Sequence, residues 1–182
     1  MPNWCYNGVE LRHDDPTMIK KIVDAAKSNK GLFNTFIPYP ENFVKLDKKA
    51  EAHFEKTGKW IKDGFNQGGY DWCLSNWGTK WDVRKDDIDI RTENENFVLL
   101  SFSTAWSPPI PFYEELKELG FKVRGCYEEG GMGFLGIYEN GEEEDYDFPY
   151  TIKEFNKLPK RIKNEFAHLK ESIEENEEEE NS

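Results

Sequence analysis

The sequence predicts an α+β domain with a ferredoxin-like, split βαββαβ antiparallel sheet and helices on one face. Three observations lead there. Two-residue and 3.6-residue apolar periods follow one another as strand, helix, strand, strand, helix, strand. A proline- and glycine-rich insertion interrupts that order after the first helix, and an extra strand and a closing helix extend it. The chain of 182 residues is long enough to bury such a core without disulfide or metal staples. The expected organisation is a domain over residues 1–150 with its insertion at 32–76, a helical extension over 151–173 packed on it, and an acidic disordered tail over 174–182.

Each element has its own signal. Cys5, Val9 and Leu11 alternate with Trp4, Tyr6 and Glu10, which reads as the first strand. Asp15-Pro16 supplies an N-cap and a proline for the first turn, and Ile19, Ile22, Val23 and Ala26 follow at helical spacing until Gly31. Within the insertion, Phe33 to Pro40 reads as extended, a helix is predicted around Asp47–Lys56, and Gly64, Gly68 and Gly69 break it. Its few apolar residues cannot make a second core.

Alternation is predicted to resume over Trp77–Val83, with Trp81 and Val83 facing away from Lys80, Asp82 and Arg84, and again at Ile88 and Ile90. Phe97 to Trp106 is apolar enough to read as a central strand covered on both faces. Pro108, Pro109 and Pro111 stop it, Phe112, Leu116 and Leu119 mark a short helix ended by Gly120, and Phe121–Glu128 and Phe134–Glu139 read as two strands joined through Gly130-Gly131. Thr151 and Glu154 have capping-box spacing, Pro159 interrupts, and Ile162, Phe166, Leu169 and Ile173 form one helical stripe beside His168. Glutamates at the end of that helix oppose its dipole, so it is expected to fray.

Composition limits function. The net charge is −12, and the seven glutamates within 171–182 bring it to about −5 when set aside. That field argues against nonspecific phosphate binding, although an acidic chain can also mimic nucleic acid. The segment Gly131-Met132-Gly133-Phe134-Leu135-Gly136-Ile137 echoes RNA-recognition motifs only poorly. No apolar run reaches the roughly 20 residues that span a bilayer, and no basic leader precedes one, so a cytoplasmic protein without a membrane partner is expected. Cys5, Cys73 and Cys126 lack a CxxC pairing, and His13, His53 and His168 are scattered, so neither a metal nor another cofactor is expected. No nucleophile elbow, P-loop or triad spacing is present. Pro2, as a possible N-terminal secondary amine, stands without other catalytic residues.

Three blocks stand out: Met1-Pro2-Asn3-Trp4-Cys5-Tyr6-Asn7, Ser75-Asn76-Trp77-Gly78-Thr79-Lys80-Trp81-Asp82, and Phe102-Ser103-Thr104-Ala105-Trp106-Ser107-Pro108-Pro109. Over residues 1 to 140 the sequence resembles the YubB-type ferredoxin-like-domain proteins of bacteriophages and plasmids. The resemblance implies a ferredoxin-like fold and a mobile-element origin, and it brings no activity.

High aromatic content, 15% with six tryptophans, makes rings the candidate binding groups. Trp72, Asn76, Trp77, Thr79, Lys80, Trp81 and Asp82 combine flat apolar walls with polar groups, as a small-molecule pocket does. Thr104 and Trp106 share a strand face and join the site if the two blocks meet in space. The competing reading is that Trp77 and Trp81 are core, Gly78-Thr79 a turn, and Trp106 a ring packed on Pro108 or Pro109. The expected function is a non-enzymatic binding protein of a phage or plasmid, holding a host protein or a small planar ligand on an aromatic face. Countering host defence would suit that origin. An enzyme with a dispersed site at Lys80 and Asp82 is the alternative.

Overall fold

The alternation over residues 4–12 produces the strand on which the sheet is built. In the computed structural model, which describes residues 3–180, strand β1 (Trp4–Arg12) pairs on one side with β3 (Phe97–Ala105) and on the other with β4 (Lys122–Glu129). β2 (Ile88–Asn94) flanks β3, while β5 (Phe134–Glu139) and β6 (Glu142–Asp147) continue from β4. The six strands lie in the order β2-β3-β1-β4-β5-β6, every pair antiparallel.

Register assigns the side chains to faces. Cys5, Asn7, Val9 and Leu11 lie buried on the first face, opposite Val98, Leu100, Phe102 and Thr104 of β3 and Val123 and Tyr127 of β4. Helix α1 (Pro16–Ala26) covers this face with Ile19, Ile22 and Val23, its N-terminus capped by the Asp15 carboxylate accepting from Thr17 N–H. Helix α2 (Leu32–Phe36) adds Leu32, Phe33 and Phe36 to the same core. Helices α3 (Glu41–Thr57) and α4 (Gly69–Asn76) follow, and α5 (Ile110–Glu118) closes the layer with Phe112, Tyr113 and Leu116. A polar node sits inside this core. Fully buried Asn7 donates to Thr104 Oγ1 at 2.9 Å and accepts from Tyr113 Oη at 3.2 Å, so no polar atom of its side chain is stranded.

The second face departs from the expectation that helices lie on one face only. Leu135 and Ile137 of β5 are buried there beneath Phe155, Ile162, Phe166, Leu169 and Ile173. Those residues come from α6 (Ile152–Phe155), α7 (Lys160–Glu165) and α8 (Ala167–Glu180), with α6 opened by the expected capping box of Thr151 and Glu154. β5 is apolar on both sides, and this second apolar row requires the second helical layer. The C-terminal layer covers β4 to β6 and leaves the second face of β1, β3 and β2 open. β3 is therefore buried on one face and half-exposed on the other at Leu99 and Ser103, not covered on both as its apolar start suggests.

Other elements also differ from expectation. Residues Trp77–Val83 form no strand; the chain leaves α4 irregularly and makes a 3-10 turn at Lys85–Asp87 before β2. The predicted helix at Asp47–Lys56 begins earlier, at Glu41. The acidic run after Asn140 is a strand, β6, joined to β5 by the positive-φ pair Asn140-Gly141. α8 continues through the glutamates expected to lie in a disordered tail from residue 174. Lys170 pairs with Glu174 at 3.4 Å, and the Glu177 carboxylate accepts from Ile152 N–H at 3.1 Å.

Gly136 lets the Tyr127 ring lie flat on β5, since a Cβ there would stand 2.6 Å from that ring. The Tyr127 hydroxyl in turn reaches Glu143 and Asp145 of the edge strand at 2.8 and 2.7 Å. Gly136→Ala should overpack the site and cost about 1–3 kcal/mol, read as a lower midpoint in thermal or urea unfolding. An unchanged midpoint would show that the ring is free to move.

Candidate functional site

The open half of the second face is a cleft of about 820 Å³ lined by Trp4, Tyr6, Trp81, Arg84, Asp87, Asp89, Arg91, Ser101 and Ser103, among others. It continues through Tyr6, Arg91 and Ser101 into a second hollow of about 410 Å³, which runs over Gly8 to Arg124, Glu165 and His168 at the edge of the C-terminal layer. Trp4 is 54% exposed and Tyr6 42%, both on β1 in the open half of the sheet, and Trp81, 41% exposed, lines the same cleft from the irregular segment after α4. Gly8 forms the floor. A Cβ there would meet nothing within 4 Å, so packing inside the chain does not require glycine at this central-strand position.

Trp81 is held in place by a row of rings. The Lys80 ammonium lies 4.3 Å from the Trp81 ring centroid and 4.8 Å from that of Trp106, a cation between two indoles. Trp81 then approaches Trp4, with centroids 6.4 Å apart. Trp106 has a left-handed backbone, φ 70°, which costs a non-glycine residue about 1–2 kcal/mol. Its N–H donates to Asn3 C=O at 3.0 Å, and Thr104 Oγ1 donates to Ser107 C=O at 2.7 Å, fixing the bend on both sides.

The structure brings the two predicted blocks together and divides their residues by role. Thr79, fully buried, donates from Oγ1 to Ala105 C=O at 3.0 Å, and Ser107 Oγ donates to Gly78 C=O at 2.7 Å, latching the two segments. Trp77 is 5% exposed and donates from Nε1 to Ile37 C=O at 2.9 Å, which makes it a core ring with Trp72 edge-on at 5.4 Å. Asn76 Nδ2 donates to Trp72 C=O at 2.8 Å. Asp82 accepts from the N–H groups of Phe33, Asn34 and Val83 at 2.8–2.9 Å and so holds α2 against the irregular segment. Burial pushes its carboxyl above the ordinary value, opposed by those backbone donors. Thr104 belongs to the buried Asn7 node. Of the predicted residues, Lys80, Trp81 and Trp106 remain as an accessible row; Trp72, Asn76, Trp77, Thr79, Asp82 and Thr104 build and hold it.

Trp4, Tyr6, Arg84, Asp87, Asp89 and Arg91 complete the cleft and were not singled out from the sequence. The alternation of β1 already placed Trp4 and Tyr6 opposite the core positions, which was the available signal. Tyr6 Oη lies 3.1 Å from Ser101 Oγ, Arg91 pairs with Asp89 at 2.8 Å, and Arg84 has no ion-pair partner among the described residues. No group of three His, Cys, Asp or Glu side chains is placed to hold a metal among the described residues. Burial pushes the thiols of Cys5 and Cys73 up to about 12, so both are protonated at neutral pH. Pro2 lies outside the described residues. Among those residues, no helix is long and apolar enough to cross a membrane.

No family model and no curated protein matches the chain. Among solved structures, a protein api92 from Yersinia pseudotuberculosis, described by the family model DUF1281, is similar at 11% identity and a TM-score of 0.49, over 82% of this chain and 99% of that one. So distant a likeness leaves the site to be read from its own geometry.

Where the cleft meets the C-terminal layer, Arg124 of β4 grips the Glu165 carboxylate and reaches Glu10 at 3.2 Å, and Cys126 Sγ donates to Glu165 at 3.0 Å. Burial alone would raise the Glu165 carboxyl, but the hydrogen bonds from Arg124 and Cys126 hold it below its ordinary value of 4.5. Its stabilising contribution is therefore present above the unfolded value and is lost as pH falls through the lowered one. Glu165→Gln should cost about 1 kcal/mol at neutral pH, and the gap in melting temperature between wild type and variant should narrow on acidification below about pH 4.5. A gap that stays constant from pH 7 to pH 3 would remove the ion pair from the account.

Proposed function

We propose that this chain is a binding protein whose open half-sheet holds a protein partner. The exposure of Trp4, Tyr6 and Trp81 beside Arg84 and Arg91 carries this reading. Tryptophan, tyrosine and arginine are the residues that dominate protein–protein binding energy, and a rim of mixed charge surrounds them here. The unobstructed glycine floor at Gly8 suits close approach by a partner's main chain. A small planar ligand stacked on Trp4 or Trp81 is the second reading, favoured by the cleft volume of about 820 Å³.

The fold reading that accompanies this is ferredoxin-like. The order β2-β3-β1-β4, with α1 and α5 as the two crossovers, supports it, and β5, β6 and the C-terminal helices are then additions. A phage or plasmid origin, and hence a host partner, rests on the sequence resemblance. An enzyme centred on Lys80 and Asp82 is disfavoured, because the ammonium is held by two indoles and the carboxylate is taken up by three backbone donors.

Trp4→Ala and Trp81→Ala, both at exposed positions, should keep the melting temperature within a few degrees while weakening partner or ligand binding at least tenfold each, about 1.4 kcal/mol or more. Crosslinked capture with quantification, or intrinsic fluorescence titration for a small ligand, reads the effect. Undiminished binding in the double variant would place the interaction elsewhere.

A further inference from the structure

A second aromatic surface lies in the insertion, on residues that do not line this cleft. Helix α3 buries only Ala50 fully, so most of its length faces solvent. At its C-terminus Gly58 takes the left-handed conformation, φ 68°, and its N–H donates to Phe54 C=O at 2.7 Å. That cap turns the chain back so that Trp60 stacks on Phe54, with centroids 4.3 Å apart and planes within 13°. Trp60 is nevertheless 63% exposed. With one face against Phe54, exposure of that size leaves the other indole face open.

The charge around this platform is opposite to that of the chain. Lys56, Lys59 and Lys62 bracket Trp60, and with Glu55 and Asp63 at either end counted the stretch 55–63 still carries a net positive charge, in a protein whose net charge is −12. All three are exposed, and none makes an ion pair among the described residues. A flat ring held parallel to another ring, with three free ammonium groups within four residues on either side, matches a polyanion that carries planar groups.

We propose that the Phe54–Trp60 platform binds single-stranded nucleic acid, one base continuing the stack on the open face of Trp60 and Lys56, Lys59 and Lys62 meeting the flanking phosphates. Stacking on an aromatic residue tolerates any base, and three phosphate contacts give a modest, salt-sensitive affinity. An anionic bilayer fits less well: a ring pinned flat against a neighbour offers a face for stacking rather than a wedge for insertion, and Ile61 is the single aliphatic residue beside it.

The test uses the full chain and a fluorescently labelled ten-nucleotide oligo-dT in anisotropy titrations from low to moderate salt. Binding should show a log–log salt slope of about −2, the value for three phosphates on a single strand. Trp60→Ala should weaken it by about tenfold or more, Trp60→Phe should restore much of it, and the pair Lys59→Gln, Lys62→Gln should flatten the slope to about −0.7. Trp81→Ala should leave it unchanged, which separates this surface from the cleft. The proposal is overturned by absent oligo-dT binding, by equal affinity for a duplex of the same length, by indifference to Trp60→Ala, or by binding to phosphatidylserine vesicles in place of the oligonucleotide.

Discussion

The second apolar row of β5 sets the arrangement of the rest of the molecule. Leu135 and Ile137 face away from the main core and are buried only because Phe155, Ile162, Phe166, Leu169 and Ile173 lie over them. At about 25 cal/mol per Å² of apolar surface, docking that stripe outweighs anything the acidic end of α8 costs through its dipole. The helices reach no further than Arg124, Cys126 and Glu128 of β4, where polar contacts from Glu165 and His168 end the layer. The other half of the face stays bare, and the cleft is the result.

A bare half-sheet with large rings would be a liability if the rings were loose. Here they are anchored from behind: Thr79 and Ser107 latch the irregular segment to the end of β3, Asp82 ties it to α2, and Lys80 fills the gap between Trp81 and Trp106. Gly31 is part of the same arrangement, because its positive φ and the Asp82 carboxylate 2.0 Å from where a Cβ would lie both demand glycine. Rigid placement of amphipathic rings lowers the entropy lost when a partner binds.

Much of the sheet was legible in the sequence, and the reasons differ by element. β1 reads directly because its alternation is unbroken, and α1 and α6 because the Asp15-Pro16 pair and the Thr151–Glu154 capping box mark their first turns. The segment Trp77–Val83 misled because Trp77, Trp81 and Val83 share a two-residue period, whereas its backbone state is decided by tertiary latches that no local pattern encodes. β6 escaped notice because acidic residues are poor strand formers, although Asn140-Gly141 was a sound turn signal. As for the site, Lys80, Trp81 and Trp106 were identified from composition, whereas Trp4 and Tyr6 were known to share a face. That this face is open depends on how far the C-terminal helices extend, which is a property of packing.

The most direct measurement of this architecture is hydroxyl-radical footprinting of the free protein, with oxidation of each aromatic residue followed by mass spectrometry. The open half-sheet requires Trp4, Tyr6 and Trp81 to be oxidised rapidly while Trp77 and Tyr127 are protected. Protection of Trp4 and Tyr6 equal to that of Trp77 would contradict it and mean that the C-terminal layer, or another part of the chain, covers the whole second face.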